Sequence, residues 1–410
     1  MRLKTLLRSG PALWVALALV PALLWVSVQN LDSTIAYWES ASSQSTLVLG
    51  FVSAACGACA AWESSRLEAA LIYSWAPSRG RLRIAAEHLA PVAVLGLLGI
   101  FVALAVFAGP AMGGPGFPNP AVLATAYLVV LSHIAVGYLV GRKAPQVLGA
   151  AGMLITGYFW GFWPAALGEP SWLRHLNGQG VGDCCSLDQE TSLRSLGATA
   201  AFSIGLIAAA MILLALRNGR LRVLVAAATG LAGIAIAVML AVPLGFNGAQ
   251  AREASALQCT GRQPQVCLWP EQRSRKREFL KWAHSAADRL RAVGIDPPAR
   301  VEYGRVEPVR SEVPTDTAAT LLPTDSPSCN ASDDAETVIY PWLALTAGED
   351  ASSLQKRWPP EAVALAQQVR KLPPRAQKTW FDHNMRAVRD CTVKPRLSPS
   401  SYATTRKSAP

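Results

Sequence analysis

The sequence predicts a mainly α fold: a polytopic transmembrane helical bundle of about seven helices, followed by a C-terminal α+β extracytoplasmic domain. Three observations predict it. Seven apolar runs fill residues 1–245, each near the ~20 residues a helix needs to cross a hydrocarbon core. The loops between them alternate between basic and non-basic. Residues 246–410 hold no further run of that kind.

A backbone in hydrocarbon must satisfy its own hydrogen bonds, so each run reads as a helix. The first, 11–28, is flanked by Trp14 and Trp25 and lacks a small-x-small cleavage site, so it reads as retained rather than as a signal peptide. The second, 45–62, contains Cys56-Gly57-Ala58-Cys59. Such a spacing occurs in redox-active pairs. Within SAACGACAA, however, it reads first as a stripe of small residues for close helix packing. The third run is 90–109. The fourth, 121–140, carries His133, the one ionisable group at membrane depth and hence a candidate intramembrane polar site. The plainer account of His133 is a hydrogen bond to a neighbouring helix. The fifth, 146–168, follows the tight connection GRKAP and ends in Tyr158, Phe159, Trp160, Phe162 and Trp163, as an interfacial belt would. The sixth and seventh are 198–216 and 222–245. No Asp, Glu, Lys or Arg sits centrally in any run, which argues against a carboxylate-type ion relay.

Lys and Arg in short loops mark the cytoplasmic side. Arg2, Lys4 and Arg8 precede the first run, Arg66, Arg79, Arg81 and Arg83 follow the second, Arg142 and Lys143 the fourth, and Arg217, Arg220 and Arg222 the sixth. Residues 29–44 and 110–120 hold no Lys or Arg. The expectation is a multi-pass plasma-membrane protein with a cytoplasmic N-terminus and an extracytoplasmic C-terminal domain. The net charge of +11 then serves topology and attraction to membrane lipids. No nucleic-acid module accompanies it, and no metal or cofactor motif appears.

On that topology six of the eight cysteines face an oxidising space, where disulfides persist. Four lie in the domain at 246–394, and the favoured pairing is Cys259 with Cys267 and Cys329 with Cys391. Cys184 and Cys185, adjacent in the loop 169–197, are additional outer thiols that pair with each other or elsewhere. Within the domain, Pro270 opens a helix that Gly294 stops. ARVEYGRVEP (299–308) reads as a strand, 309–334 as a loop, and 359–371 and 374–390 as helices. Residues 395–410 read as a disordered tail. His284 with Asp288, and Asp382 with His383, are thin catalytic candidates, since no hydrolase or ATPase motif accompanies them.

The segment ESSRLEAALIYSW places Leu67, Leu71 and Trp75 on one side of a short helix, opposite Glu63 and Arg66. On this segment and the helix layout, residues 1–216 resemble ABC-2-type exporter permeases as they occur in actinobacteria. That resemblance implies a coupling helix at 63–75 that engages a separate ABC ATPase subunit, an outer segment between the fifth and sixth helices, and homo- or heterodimers. The chain departs from the six-helix pattern by a seventh helix and an exported domain, whose opening CTGRQPQVCLWPEQ resembles an uncharacterised extracytoplasmic domain of such proteins. The expected function is thus a permease-like subunit of an ABC exporter and not an enzyme. The alternatives are a non-transporting anchor whose exported domain binds a partner or envelope component, and a thiol-disulfide oxidoreductase using Cys56 and Cys59.

Overall fold

The computed structural model describes residues 10–72, 80–182, 184–216, 219–310 and 312–402. The chain is mainly α and divides into two compact units, 1–252 and 253–410.

The first unit is built from α1 (Ala12–Gln29), the short α2 (Trp38–Gln44), α3 (Leu49–Ala69), α4 (Arg81–Phe107), α5 (Pro120–Gly141), α6 (Gln146–Ala166), α7 (Leu193–Ala215) and α8 (Gly219–Ala241). Among the described residues six stretches are long and apolar enough to cross a membrane: α1, α2 with α3, α4, α5, α7, and α8 with the turn to Leu244. The protein therefore has the make-up of a multi-pass membrane protein. Its lipid-compatible faces point outward, with Leu148 69 % and Met239 75 % exposed.

α6 has 21 residues and no charged one. Its glycines, tyrosine and tryptophans make it less apolar than the other six. It nevertheless follows α3 along its whole length. Ser65 Oγ donates to Ala144 O at 3.3 Å before α6 begins, and near its other end Gly161 lies against Gly50. α6 thus runs antiparallel to α3 and traverses the same depth.

The other neighbours alternate in the same way. Gly57 and Ala61 of α3 meet Gly137 and Gly141 of α5 in parallel, and Cys56 and Val52 meet Gly96 and Gly99 of α4 in antiparallel order. A side chain on Gly137 would come 2.2 Å from Gly57 O, and one on Gly141 2.0 Å from Ala61 O, so these positions admit no Cβ. α7 and α8 cross at Gly205 and Gly233. Small residues let backbones approach where lipid supplies no hydrophobic drive between helices.

After α8, β2 (Ala249–Ala251) pairs antiparallel with β1 (Gln189–Thr191) of the α6–α7 connection. Residues 246–252, expected to begin the C-terminal domain, therefore belong to the first unit. The pairing also fixes α8 as ending at the same end of the bundle as α6.

The second unit holds a small sheet ordered β3 (Gln258–Thr260), β4 (Gln265–Leu268) and β5 (Arg300–Glu302), antiparallel then parallel. Around it lie α9 (Lys276–Ala292), α10 (Glu312–Ala319), α11 (Asn330–Ala347), α12 (Ala351–Leu354), α13 (Pro360–Arg370) and α14 (Pro374–Arg389). On α9, Phe279, Ala283, Ala286 and Leu290 recur at helical spacing and are fully buried. The core centres on Trp342, Trp380, Ile339 and Leu343.

Two expectations change here. Residues 309–334 contain the helix α10, whose Val313, Thr317 and Ala318 are buried. The tail is ordered through Tyr402. Asn384 Nδ2 donates to Arg396 O at 3.1 Å, Arg396 N donates to Asn384 Oδ1 at 2.8 Å, and Trp380 Nε1 donates to Leu397 O at 3.0 Å. The buried amide and indole supply partners that a reading of tail composition alone does not reveal.

Candidate functional site

α6 packs on α3 and α5 while α7 packs on α5 and α8, which leaves a gap between α6 and α7 in front of α5. The gap is a cavity of about 700 Å³. His133 and Val136 of α5 form its back, Met153, Gly157 and Trp160 of α6 one side, and Phe202 and Leu206 of α7 the other. Trp160 and Phe202 stack at 5.4 Å and bridge the two helices. Phe159 and Trp163 flank the mouth and are 57 % and 58 % exposed. The aromatic cluster read as an interfacial belt thus also lines this cavity.

Among the described residues the cavity wall carries no Lys, Arg, Asp or Glu. Ser132 Oγ and Thr156 Oγ1 donate to carbonyls of their own helices, Val129 O and Gly152 O, both at 2.7 Å. His133 bonds through Nδ1 to Val129 O at 2.9 Å. That partner lies on its own helix, not on a neighbouring one as the plainer sequence reading has it.

A folded segment caps this end of the bundle. Asn177 Nδ2 donates to Trp160 O (2.7 Å) and Gly161 O (3.1 Å), and Gln179 Nε2 donates to Thr46 O (3.0 Å). His175, fully buried, lies 2.8 Å from Ser195 Oγ through Nδ1 and 3.1 Å from Gly245 O through Nε2. A carbonyl only accepts, so Nε2 carries the proton and Nδ1 accepts from Ser195. Burial lowers the His175 pKa first, the Gly245 bond raises it, and Arg174 lowers it again. At the same end Asn119 caps α5, receiving Ala121 N at 2.9 Å, while its Nδ2 donates to Glu39 Oε1 at 2.7 Å. Thr191 N donates to the same Glu39 oxygen at 3.0 Å. This polar cap escapes the sequence reading because its residues look like an ordinary mixed loop. The available signal is Leu173, Leu176, Val181 and Leu187 spaced among glycines.

At the opposite end lie the coupling-helix candidates. Glu63, Arg66 and Leu67 belong to the unbroken final turns of α3, not to a separate surface helix, because no Gly or Pro lies between Gly57 and Ala69. Glu63 is buried and pairs with Arg66 at 2.8 Å. Leu67 is buried with Ala85, Tyr138 and Leu214. Leu71 follows the helix at φ 53° and is 61 % exposed. Leu67 is thus buried as expected of the apolar side, whereas Glu63 is buried and Leu71 exposed against expectation. Trp75 lies outside the described residues. Glu68 accepts from Arg142 Nε at 2.5 Å, joining α3 to the α5–α6 turn.

Cys56 and Cys59 are both buried and unbonded to one another. The Cys56 thiol donates to Val92 O at 3.7 Å. Cys184 and Cys185 form a disulfide with each other, Cys259 is bonded to Cys267 across β3 and β4, and Cys329 to Cys391. The last joins the start of α11 to the end of α14.

In the second unit Glu349 is fully buried and accepts from Thr315 Oγ1 and an Arg357 guanidinium N–H. Nearby, burial and then Glu312 push Asp316 up to about 6, against the pull of Arg305 and Arg357. The thin catalytic pairs are occupied otherwise: Asp288 pairs with Arg291 at 2.8 Å, Asp382 with Lys378 at 2.7 Å, and His383 Nε2 meets Lys394 O at 3.2 Å. Among the described residues no cluster of three or more His, Cys, Asp or Glu is arranged to hold a metal ion.

Residues 266–391 match a family model described as a domain of unknown function (DUF7224). The match lies within the second unit and ends at Cys391. No curated protein and no solved structure matches the chain.

Proposed function

We infer that the chain is an integral membrane permease-like subunit that exports a substrate with a separate ATPase subunit acting in trans. The observation that carries this reading is the cavity between α5, α6 and α7, capped at one end by the segment 171–191 and open at its side. A permease needs such a space at membrane depth, with walls on helices that are free to move relative to one another. The run of α1, α3, α4, α5, α6 and α7, with a folded segment between the last two, supports the likeness to ABC-2 permeases. The unbroken α3 shifts any ATPase contact beyond Ala69, toward Leu71 and the chain that follows it. Co-purification tests the reading: an ATPase subunit is expected to accompany the affinity-tagged full chain and to be lost in a Leu71→Asp variant. Absence of any ATPase from the wild-type preparation would overturn it.

The orientation proposed with it puts the N-terminus, Arg142 and Lys143, and Arg220 and Arg222 in the cytoplasm. With α6, which runs antiparallel along α3, counted as a crossing beside the six apolar stretches, the helices make seven, and the chain emerges after Arg252 on the outer side. Six crossings would return it to the cytoplasm.

One observation favours a second reading, a non-transporting anchor for an exported binding domain. The second unit is compact by itself and stapled by two disulfides, and the family match falls there. Truncation after Arg252 separates the two. The permease reading expects ATPase association to survive the truncation, whereas the anchor reading expects the cellular phenotype to vanish with the second unit.

A further inference from the structure

We propose that the cavity between α5, α6 and α7 is a binding site for an uncharged, largely apolar molecule carrying one hydrogen-bond donor, which enters sideways from the bilayer. This deepens the permease reading by naming its substrate class, and rests on that reading only for the transport step.

The argument begins with His133. Its Nδ1 faces Val129 O at 2.9 Å, and a carbonyl cannot donate, so Nδ1 carries the proton. In the neutral ring Nε2 is then a bare acceptor. Among the described residues nothing donates to it, and it is not sealed from the cavity that His133 lines. Ser132 and Thr156, the hydroxyl side chains on the wall, spend their protons on their own helices, and the indoles of Trp160 and Trp163 are donors only. The site thus offers, in an apolar enclosure, a ring nitrogen whose acceptor lone pair meets no donor among the described residues. A few placed polar groups on apolar walls are what fixes the orientation of a small ligand.

The enclosure also selects by charge. With no cation or anion on its wall, it has nothing to balance a carboxylate, phosphate or ammonium, and an unbalanced charge in an apolar medium is costly. The entrance is lateral. α6 and α7 diverge there, exposed Phe159 and Trp163 flank the gap, and the Asn177 contacts to Trp160 O and Gly161 O tie the capped end shut. A molecule arriving from hydrocarbon pays no desolvation of its apolar body. Its single donor, which has no partner in the lipid core, gains one at Nε2.

The test uses the purified full chain in phosphatidylcholine nanodiscs and three photoreactive probes of equal length: a long-chain alcohol, its methyl ether and the corresponding carboxylate. Labelled peptides are mapped by mass spectrometry. The alcohol is expected to label α5, α6 and α7 residues of the cavity, about two- to tenfold more tightly than the ether, the span that one net hydrogen bond provides. His133→Phe is expected to abolish that preference, His133→Gln to restore part of it through its amide oxygen, and Leu206→Trp to reduce labelling by both probes. Equal labelling by alcohol and ether in the wild type would overturn the proposal, since the cavity would then hold any acyl chain. Preference for the carboxylate, or labelling spread evenly over outer positions such as Trp14 and Met239, would also overturn it. Cross-linked dimers in place of probe adducts would show that a second copy fills the gap, with the same consequence. Binding with the expected preference but without an associating ATPase would sustain the site and overturn only the permease reading.

Discussion

Between α3 and α5 the closest approach is Gly137 on the backbone of Gly57 and Gly141 on that of Ala61. In the C-terminal unit the corresponding central place is held by Trp342, Trp380 and Phe381, ring against ring at 5.4–5.5 Å. The difference follows from the solvent each unit is built for. In water, burying an aromatic side chain removes 150–250 Å² from contact with solvent and stabilises strongly. In lipid the outward face is already in apolar surroundings, so helices associate through close backbone packing and a few hydrogen bonds. The C-terminal unit adds covalent cross-links, and the bundle leaves Cys56 and Cys59 unbonded in its seam.

The sharpest way to break this contrast is reduction. In the chain-entropy account the Cys329–Cys391 bond, with 62 residues of separation, contributes about 4 kcal/mol, and Cys259–Cys267, separated by 8, about 2–3 kcal/mol. Together these approach the whole stability of a small domain. Dithiothreitol is expected to unfold residues 253–402, seen as loss of near-ultraviolet dichroism, while the helix content of the bundle persists. Next in size, Trp342→Ala is expected to destabilise the C-terminal unit by about 3–5 kcal/mol and to leave the melting of the bundle unmoved. Its counterpart is Gly137→Leu, which gains apolar area but drives a side chain into Gly57 O. It is expected to cost about 1–3 kcal/mol of bundle stability in detergent, where a residue-size argument from water predicts a gain.

The smallest effect is a pH dependence in the C-terminal unit. Asp316 stands at about 6 in the folded chain against an ordinary 3.8, so the folded state holds its proton more tightly than the unfolded one. The associated stability is fully present below about pH 4 and is lost as pH rises through about 6. Asp316→Asn is expected to add roughly 1–3 kcal/mol at pH 7 and to flatten the dependence between pH 4 and 6, as read by denaturant unfolding.

The sequence displays the spans plainly because each is uncharged over the length of a bilayer core. The aromatic-rich α6 is the hardest of them to read, and what marks it in the fold is its run along α3. The helix ends are less legible. Arg81 and Arg83 sit in the first turn of α4, and Glu63 lies buried in α3, because both helices run on past the apolar stretch with their backbone hydrogen bonds intact. The burial of Glu63 has a related origin: the side of α3 that faces inward is set by Gly57 and Ala61 against α5, and both lie before the 13-residue segment. His133 was visible as a lone polar group, but the cavity is not. It arises where α6 and α7 fail to meet, a property of helix placement and not of any local pattern. The cap around His175 and Asn177 depends likewise on partners up to 152 residues apart.

The central proposal is that the bundle belongs to lipid and the C-terminal unit to the water outside the cytoplasm. Alkaline phosphatase fused after Arg252, and separately after Lys143, tests it most directly in a bacterial host, since the enzyme is active only outside the cytoplasm. High activity at Arg252 with none at Lys143 is the predicted result. Activity at Lys143, or inactivity at Arg252, would mean that α6 does not cross or that the bundle is inverted, and would contradict the account.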